Sequence, residues 1–290
     1  MPVTRAELIH EMAAALERAD ASARVLGARA RAARAGAGPA AAFSALASVG
    51  PGGLVPPVGT GGALAARHLE HAALAAAAAG PVLPDDVVEA LGHAAAEARL
   101  QSGGANALDP RGVARAVRRE VAAVRGLAAH SMPRDAVWQT MRIGTFLPRA
   151  AWMTALLLAC VRVAAADPES SGAVWHAAAL VAGAHAGEPP VGDEVLPRLL
   201  TDETIPVTVA YSVEEVTGAL FALSRQGSAA AATLALARAT AAHLGSPSTL
   251  TALATDAEPL LEGILDAIGA LAASAVPVPR GGDTDTGVAV

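Results

Sequence analysis

Residues 145–187 read TFLPRAAWMTALLLACVRVAAADPESSGAVWHAAALVAGAHAG. Two almost charge-free runs of helix-forming residues flank the short polar turn DPESSG, and a helix that is apolar on every side has to be buried by its neighbours. This stretch therefore predicts a helical hairpin at the centre of the protein. Its polar exceptions, Arg162, His176 and His185, each need a partner, because a guanidinium or imidazole buried without one is costly. Counting back from the turn sets Arg162 level with His176, roughly 6 Å into the hairpin.

The composition extends the same reading to the whole chain. Of 290 residues 53% are hydrophobic, yet only seven are aromatic, three Trp, one Tyr and three Phe. A core filled by Ala, Leu and Val needs closely packed helices, and Ala is the strongest helix former. All 21 basic residues are Arg, and the net charge is −6 with a pI near 5.7. That balance lacks the broadly basic face of a nucleic-acid binder, although a local Arg patch remains compatible with it. The single Cys160 excludes an internal disulfide and reads as a small buried residue.

Outward from the hairpin, start and stop signals mark further helices. Thr4 and Glu7 form a capping box ahead of a helix to about residue 34, with His10 expected on its charged, solvated side. A short helix over 39–49 precedes a glycine-rich loop ending in Gly59-Thr60-Gly61-Gly62. Exposed N–H groups at the start of the following helix could hold an anion, with Thr60 as the candidate side chain. Helices over 63–79 and 85–101 are joined by GPVLP. Asp109 and Pro110 start the next, on which Arg111, Arg115, Arg118 and Arg125 share a side. Such a stripe has the chemistry to hold phosphate or an acidic partner, but its ordinary meaning is a solvated face.

A shorter helix capped near Ser131 carries Trp138 and Arg142 to the entrance of the central hairpin. Beyond the hairpin come a helix over 193–200 and an alternating TIPVTVAY (204–211) that could form one isolated strand. Ser212 and Glu215 then give a second capping box, and Ser246-Pro247 starts a last helix over 248–275. The pattern predicts an all-α fold: one globular bundle of about 10–12 helices, built from antiparallel hairpins around residues 145–187. The helical domain should span 1–276, with a subdomain division near 130, and 277–290 reads as a disordered tail.

Two groups of residues could carry chemistry. His68 and His71 lie on one helix and Glu89, His93 and Glu97 on its antiparallel neighbour, a set with the donor types for metal binding or proton transfer. The wheel turns Glu89, His93 and Glu97 away from their helix's apolar side, so no metal and no cofactor are assigned. His176 and Arg162 are the second group. No nucleophile elbow, HExxH, EF-hand loop or P-loop is present. Buried His and Arg suit binding an anionic substrate and moving a proton.

The expectation is thus an enzyme on an anionic small molecule, a lyase or cyclase of biosynthesis. His176, His71 and His68 would be its acid and base groups, and Arg162, Arg142 and Thr60 would bind the substrate. Two alternatives remain: a non-catalytic helical subunit or scaffold, and a metal-dependent oxygenase built on the His/Glu set. No signal peptide or uninterrupted spanning helix is evident, the longest apolar run, 150–166, being broken by Arg162. The expected location is therefore cytoplasmic, without membrane or nucleic-acid partners, and assembly with copies of itself or another chain is compatible with the Ala-rich surface.

Overall fold

The computed structural model describes residues 3–35, 37–49, 60–103, 109–183, 192–227 and 231–275. Within them the chain forms twelve α-helices, one 3-10 turn and no strand. The first capping box closes as the sequence implies: Glu7 N donates to Thr4 Oγ1 at 3.2 Å and Thr4 N donates to Glu7 Oε2 at 2.7 Å. Helix α1 (Arg5–Ala35) follows, then α2 (Ala37–Val49). Helices α3 (Gly61–Ala79) and α4 (Asp85–Ser102) form the hairpin expected around GPVLP. It turns at Gly80, whose φ of 72° is one that other residues rarely adopt. Helix α5 (Pro110–Ser131) has Pro110 in its first turn.

The central hairpin is present, and its first arm is longer than expected. Helix α6 (Ala136–Ala166) is continuous through Pro148, and its start is capped by Asp135, whose carboxylate accepts from Trp138 N at 3.2 Å. Ser131 instead ends α5. Proline removes one backbone donor and usually ends a helix. Here α6 is embedded among other helices on both sides of Pro148, and 61% of its most apolar window is buried. By length and mean hydropathy, 1.5, α6 would pass as a membrane-spanning helix, yet its apolar surface forms the protein's core. A 3-10 turn, Pro168–Ser170, leads into the second arm, α7 (Ser171–Ala182). Cys160 on α6 is buried, as expected.

Helices α8 (Gly192–Thr201), α9 (Val209–Arg225), α10 (Ala231–Leu244), α11 (Pro247–Thr255) and α12 (Ala257–Ala275) complete the fold. The stretch 204–211 is not a strand: turns lead into α9, which starts earlier than expected. Thr208 caps it by accepting from Tyr211 N at 3.3 Å, and Ser212 Oγ donates back to Thr208 O at 2.7 Å. The proposed box of Ser212 and Glu215 is therefore replaced, because a one-turn-earlier cap leaves both residues inside the helix. Ser246 and Pro247 do start a helix, but the last expected one is divided at Asp256 into α11 and α12.

Buried apolar residues fall into two clusters. One joins α1, α3, α4 and α5 through Met12, Leu69, Leu91 and Val117, and the other surrounds α6 with Leu156, Val213, Leu220 and Leu261. Helix α1 contributes to both, with residues up to Ala23 in the first and Val25, Ala28 and Ala32 in the second. Packed by α3, α5 and α6, it buries faces that a lone amphipathic helix would expose. His10, expected in solvent, is consequently part-buried, and its Nε2 has no hydrogen-bond partner among the described residues. Helices α1 and α6 approach so closely at Gly144 that a Cβ there would lie 2.5 Å from His10 O. The proposed tail 277–290, the loop glycines before Thr60 and His185 lie outside the described residues.

Candidate functional site

Glu17, Asp20, Arg24, Gly27 and Arg31 recur on α1 at intervals of three and four, which places them on one face. Opposite them lies α5, running antiparallel: Gly27 faces Ala114, Asp20 faces Arg118, and Glu17 faces Arg125. The acids stand at one end of this seam, met there by Arg125, Arg118 and Arg24, and Arg31 and Arg111 stand at the other.

Glu17 and Asp20 are 5% and 3% exposed, so both carboxylates need cationic partners. Glu17 takes a fork of two hydrogen bonds from Arg149 of α6, Nε to Oε1 at 2.8 Å and Nη2 to Oε2 at 2.6 Å, and also meets Arg125. Arg149 Nη1 donates to Pro206 O at 2.9 Å, and its guanidinium lies 4.7 Å from the Phe146 ring centroid. Burial works against the Arg149 charge, but the Glu17 carboxylate more than offsets it and holds the guanidinium above its ordinary pKa. Asp20 accepts from Arg24 Nε at 2.9 Å, with Arg125 Nη1 and Arg118 Nε each at 3.5 Å. Burial pushes the Asp20 carboxyl up, but Arg24, Arg125 and Arg118 together hold it below the usual carboxylate range.

Beyond Asp20 a cavity of about 330 Å³ lies against both helices. Its floor is made by Ala23, Gly27 and Ala114, and its walls by Arg24, Arg31, Arg111, Arg115, Arg118 and Arg119. Small residues create the space: a Cβ on Gly27 would already lie 3.3 Å from Ala114 Cβ. Arg119 is neutralised by Glu120 at 2.9 Å, and Arg31 Nη2 donates to Leu180 O at 2.7 Å. Arg111 and Arg115 have neither an ion pair nor a hydrogen bond among the described residues. The Arg31 guanidinium is pulled below its ordinary pKa by burial and by the neighbouring charges of Arg118 and Arg111. Like charges are thus held together here with too few acids among the described residues to balance them.

None of the six residues expected to form a site lines this cavity. Arg162, expected beside His176, instead pairs with Glu258 at 2.7 Å and with Glu262, both on α12. Arg142 pairs with Glu215 at 2.8 Å and donates to Gln139 Oε1 at 2.9 Å. Both guanidiniums are thus partnered by carboxylates of distant helices, and Arg162 is not set beside His176. His176 is part-exposed on α7, with no ion pair among the described residues. His71 is exposed and lies 3.2 Å from Glu11 Oε1, while His68 is half-buried, its pKa lowered to about 4 by burial and by Arg18, Arg67 and His71. Thr60 precedes α3 without a side-chain capping bond. The His/Glu set also disperses: His93 Nδ1 lies 3.5 Å from Glu120 Oε2 on α5, and Glu89 is exposed. Among the described residues no three His, Cys, Asp or Glu side chains converge as metal ligands.

The stripe Arg111, Arg115, Arg118 was visible in the sequence, but its counterpart Arg24 and Arg31 was missed. The signal was there in the spacing of Glu17, Asp20, Arg24, Gly27 and Arg31, a polar stripe along a helix that also carries an apolar one.

A family model described as a predicted alpha-helical domain with a conserved ER motif matches residues 63–275, nearly three quarters of the chain. The sequence's one Glu-Arg dipeptide, Glu17-Arg18, lies N-terminal to that span. No curated protein and no solved structure matches the chain.

Proposed function

The chain belongs to the Alpha-E family, and we propose that this member binds an anionic small molecule in the arginine cavity between α1 and α5. The observation that carries this reading is a wall of six arginines, three of them (Arg31, Arg111 and Arg115) without an acidic partner among the described residues, in a protein whose net charge is −6. Guanidinium groups present paired donors that match phosphate and carboxylate oxygens, and their weak hydration makes them suited to part-buried anion sites. Crowding cations costs free energy, and a bound anion relieves that cost.

The cavity lining supports binding more than proton transfer. Arginine stays protonated in proteins, and no histidine among the described residues lines the cavity, so the expected His-driven lyase or cyclase step draws no support from this site. The test is calorimetric titration of orthophosphate at fixed ionic strength into the wild-type protein and an Arg111→Gln/Arg115→Gln variant. Saturable one-to-one binding, weakened tenfold or more in the variant, is expected. Equal binding by both proteins, or none by either, would overturn the reading.

A further inference from the structure

The geometry points to a ligand that carries two or more linked phosphoryl groups, gripped at both ends by arginines of α1 and α5. This inference rests on the reading that the cavity binds anions and specifies which ones. On α1, Arg24 and Arg31 are seven residues apart, and so are Arg111 and Arg118 on α5, which separates each pair by two turns or about 10 Å. Because the helices are antiparallel, the four arginines form two rungs. Arg24 and Arg118 converge on Asp20 at the inner end, and the antiparallel register sets Arg31 level with Arg111 at the outer end, the Arg31 guanidinium leaning back over Gly27. Arg115 lies between them, over the floor opened by Gly27 and Ala114.

Guanidinium groups reaching over the floor from two rungs can hold successive phosphoryl groups of one chain. Charge leads to the same ligand class. With Arg119 matched by Glu120, five guanidiniums face the cavity and one carboxylate, Asp20, opposes them. An excess of four positive charges exceeds what one phosphate neutralises and suits a diphosphate or triphosphate. The volume, about 330 Å³, is at the small end for ligand pockets, and the described residues that line it include no aromatic ring on which a base could stack. Recognition is therefore of the phosphate chain itself, whether it is free or attached to a larger group.

The test titrates orthophosphate, pyrophosphate, tripolyphosphate and ADP into the full-length protein in metal-free buffer at constant ionic strength. Pyrophosphate should bind at least tenfold more tightly than orthophosphate, with ADP within threefold of pyrophosphate. Arg111→Gln takes one of the two guanidiniums from the outer rung and leaves every described hydrogen bond and ion pair in place, so it should lower the preference for pyrophosphate over orthophosphate while orthophosphate still binds. Arg118→Gln should do the same from the inner rung, and Arg111→Gln alone suffices if that variant fails to fold. Equal affinities for orthophosphate and pyrophosphate in the wild type would overturn the inference while leaving the anion site standing. Absence of binding by all four would remove both. ADP binding tenfold more tightly than pyrophosphate would overturn recognition of the phosphate chain alone. So would displacement of pyrophosphate by a single-stranded oligonucleotide at lower phosphate concentration, which would mark a nucleic-acid track.

Discussion

Glu17 of α1 receives a two-pronged hydrogen bond from Arg149 of α6, at 2.8 and 2.6 Å, and the same carboxylate meets Arg125 of α5. Arg125 follows Val124 of the first apolar cluster, and Arg149 precedes Ala150 of the second. One buried acid thus ties both clusters to the helix they share. Removing one partner of a buried ion pair leaves the other charge unpaired in a poor solvent, which costs about 3–5 kcal/mol. Glu17→Gln should lose that much in urea unfolding, while Glu17→Leu combined with Arg149→Met should recover part of it. A Glu17→Gln variant as stable as the wild type would show that the pair does not join the two clusters.

Acid stability should depend on His68. Its pKa is lowered from 6.5 to about 4 in the folded protein, so between these values the unfolded chain binds the extra proton. Stability should accordingly fall as pH drops from 6.5 towards 4. In His68→Gln, melting temperature against pH should be flatter across this window, and an unchanged slope would contradict the assignment. Asp20 acts lower: its carboxyl is depressed, so its contribution is present above the ordinary carboxylate pKa and is lost as pH falls through the folded value.

Two glycine-to-alanine substitutions should have opposite signs. At Gly144 a methyl group would meet His10 O at 2.5 Å and Ala13 Cβ at 3.0 Å, where neither backbone can yield without separating α1 from α6. Overpacking of this kind costs about 1–3 kcal/mol. At Gly92, exposed on α4, a Cβ meets nothing within 4 Å, and removing backbone freedom should stabilise by about 0.5–1 kcal/mol. Thermal unfolding of the two variants checks both, and a stabilising Gly144→Ala would refute the close approach.

Cys160 should be silent to thiol reagents in the native state. It is buried, and burial pushes its thiol well above the ordinary cysteine value, so almost no thiolate forms at neutral pH. Ellman's reagent should label it only at the rate of unfolding; rapid labelling without denaturant would mean that the α6 core opens.

The central hairpin was legible because burial on every side leaves an unambiguous apolar run, and Cys160 was read correctly for the same reason. Continuity of α6 through Pro148 was not legible, since a proline's local penalty is overcome here by packing that involves residues far away in the chain. The same holds for His10, whose charged neighbours suggested solvent until α3, α5 and α6 enclosed α1. The site was half legible. Arg111, Arg115 and Arg118 mark a face from spacing alone, but only antiparallel packing brings Arg24 and Arg31 across from them. Arg162 and Arg142 looked like better anion ligands because they sat in the apolar stretch; Glu258, Glu262 and Glu215, distant in sequence, neutralise them.

Whether the cavity between α1 and α5 is an anion site is tested most directly by following arginine side-chain Nε–Hε resonances by NMR during a pyrophosphate titration. The account predicts saturable shifts for Arg24, Arg31, Arg111, Arg115 and Arg118, with Arg142 and Arg162 unmoved. Shifts confined to Arg142 or Arg162, or no shift at any cavity arginine, would contradict it.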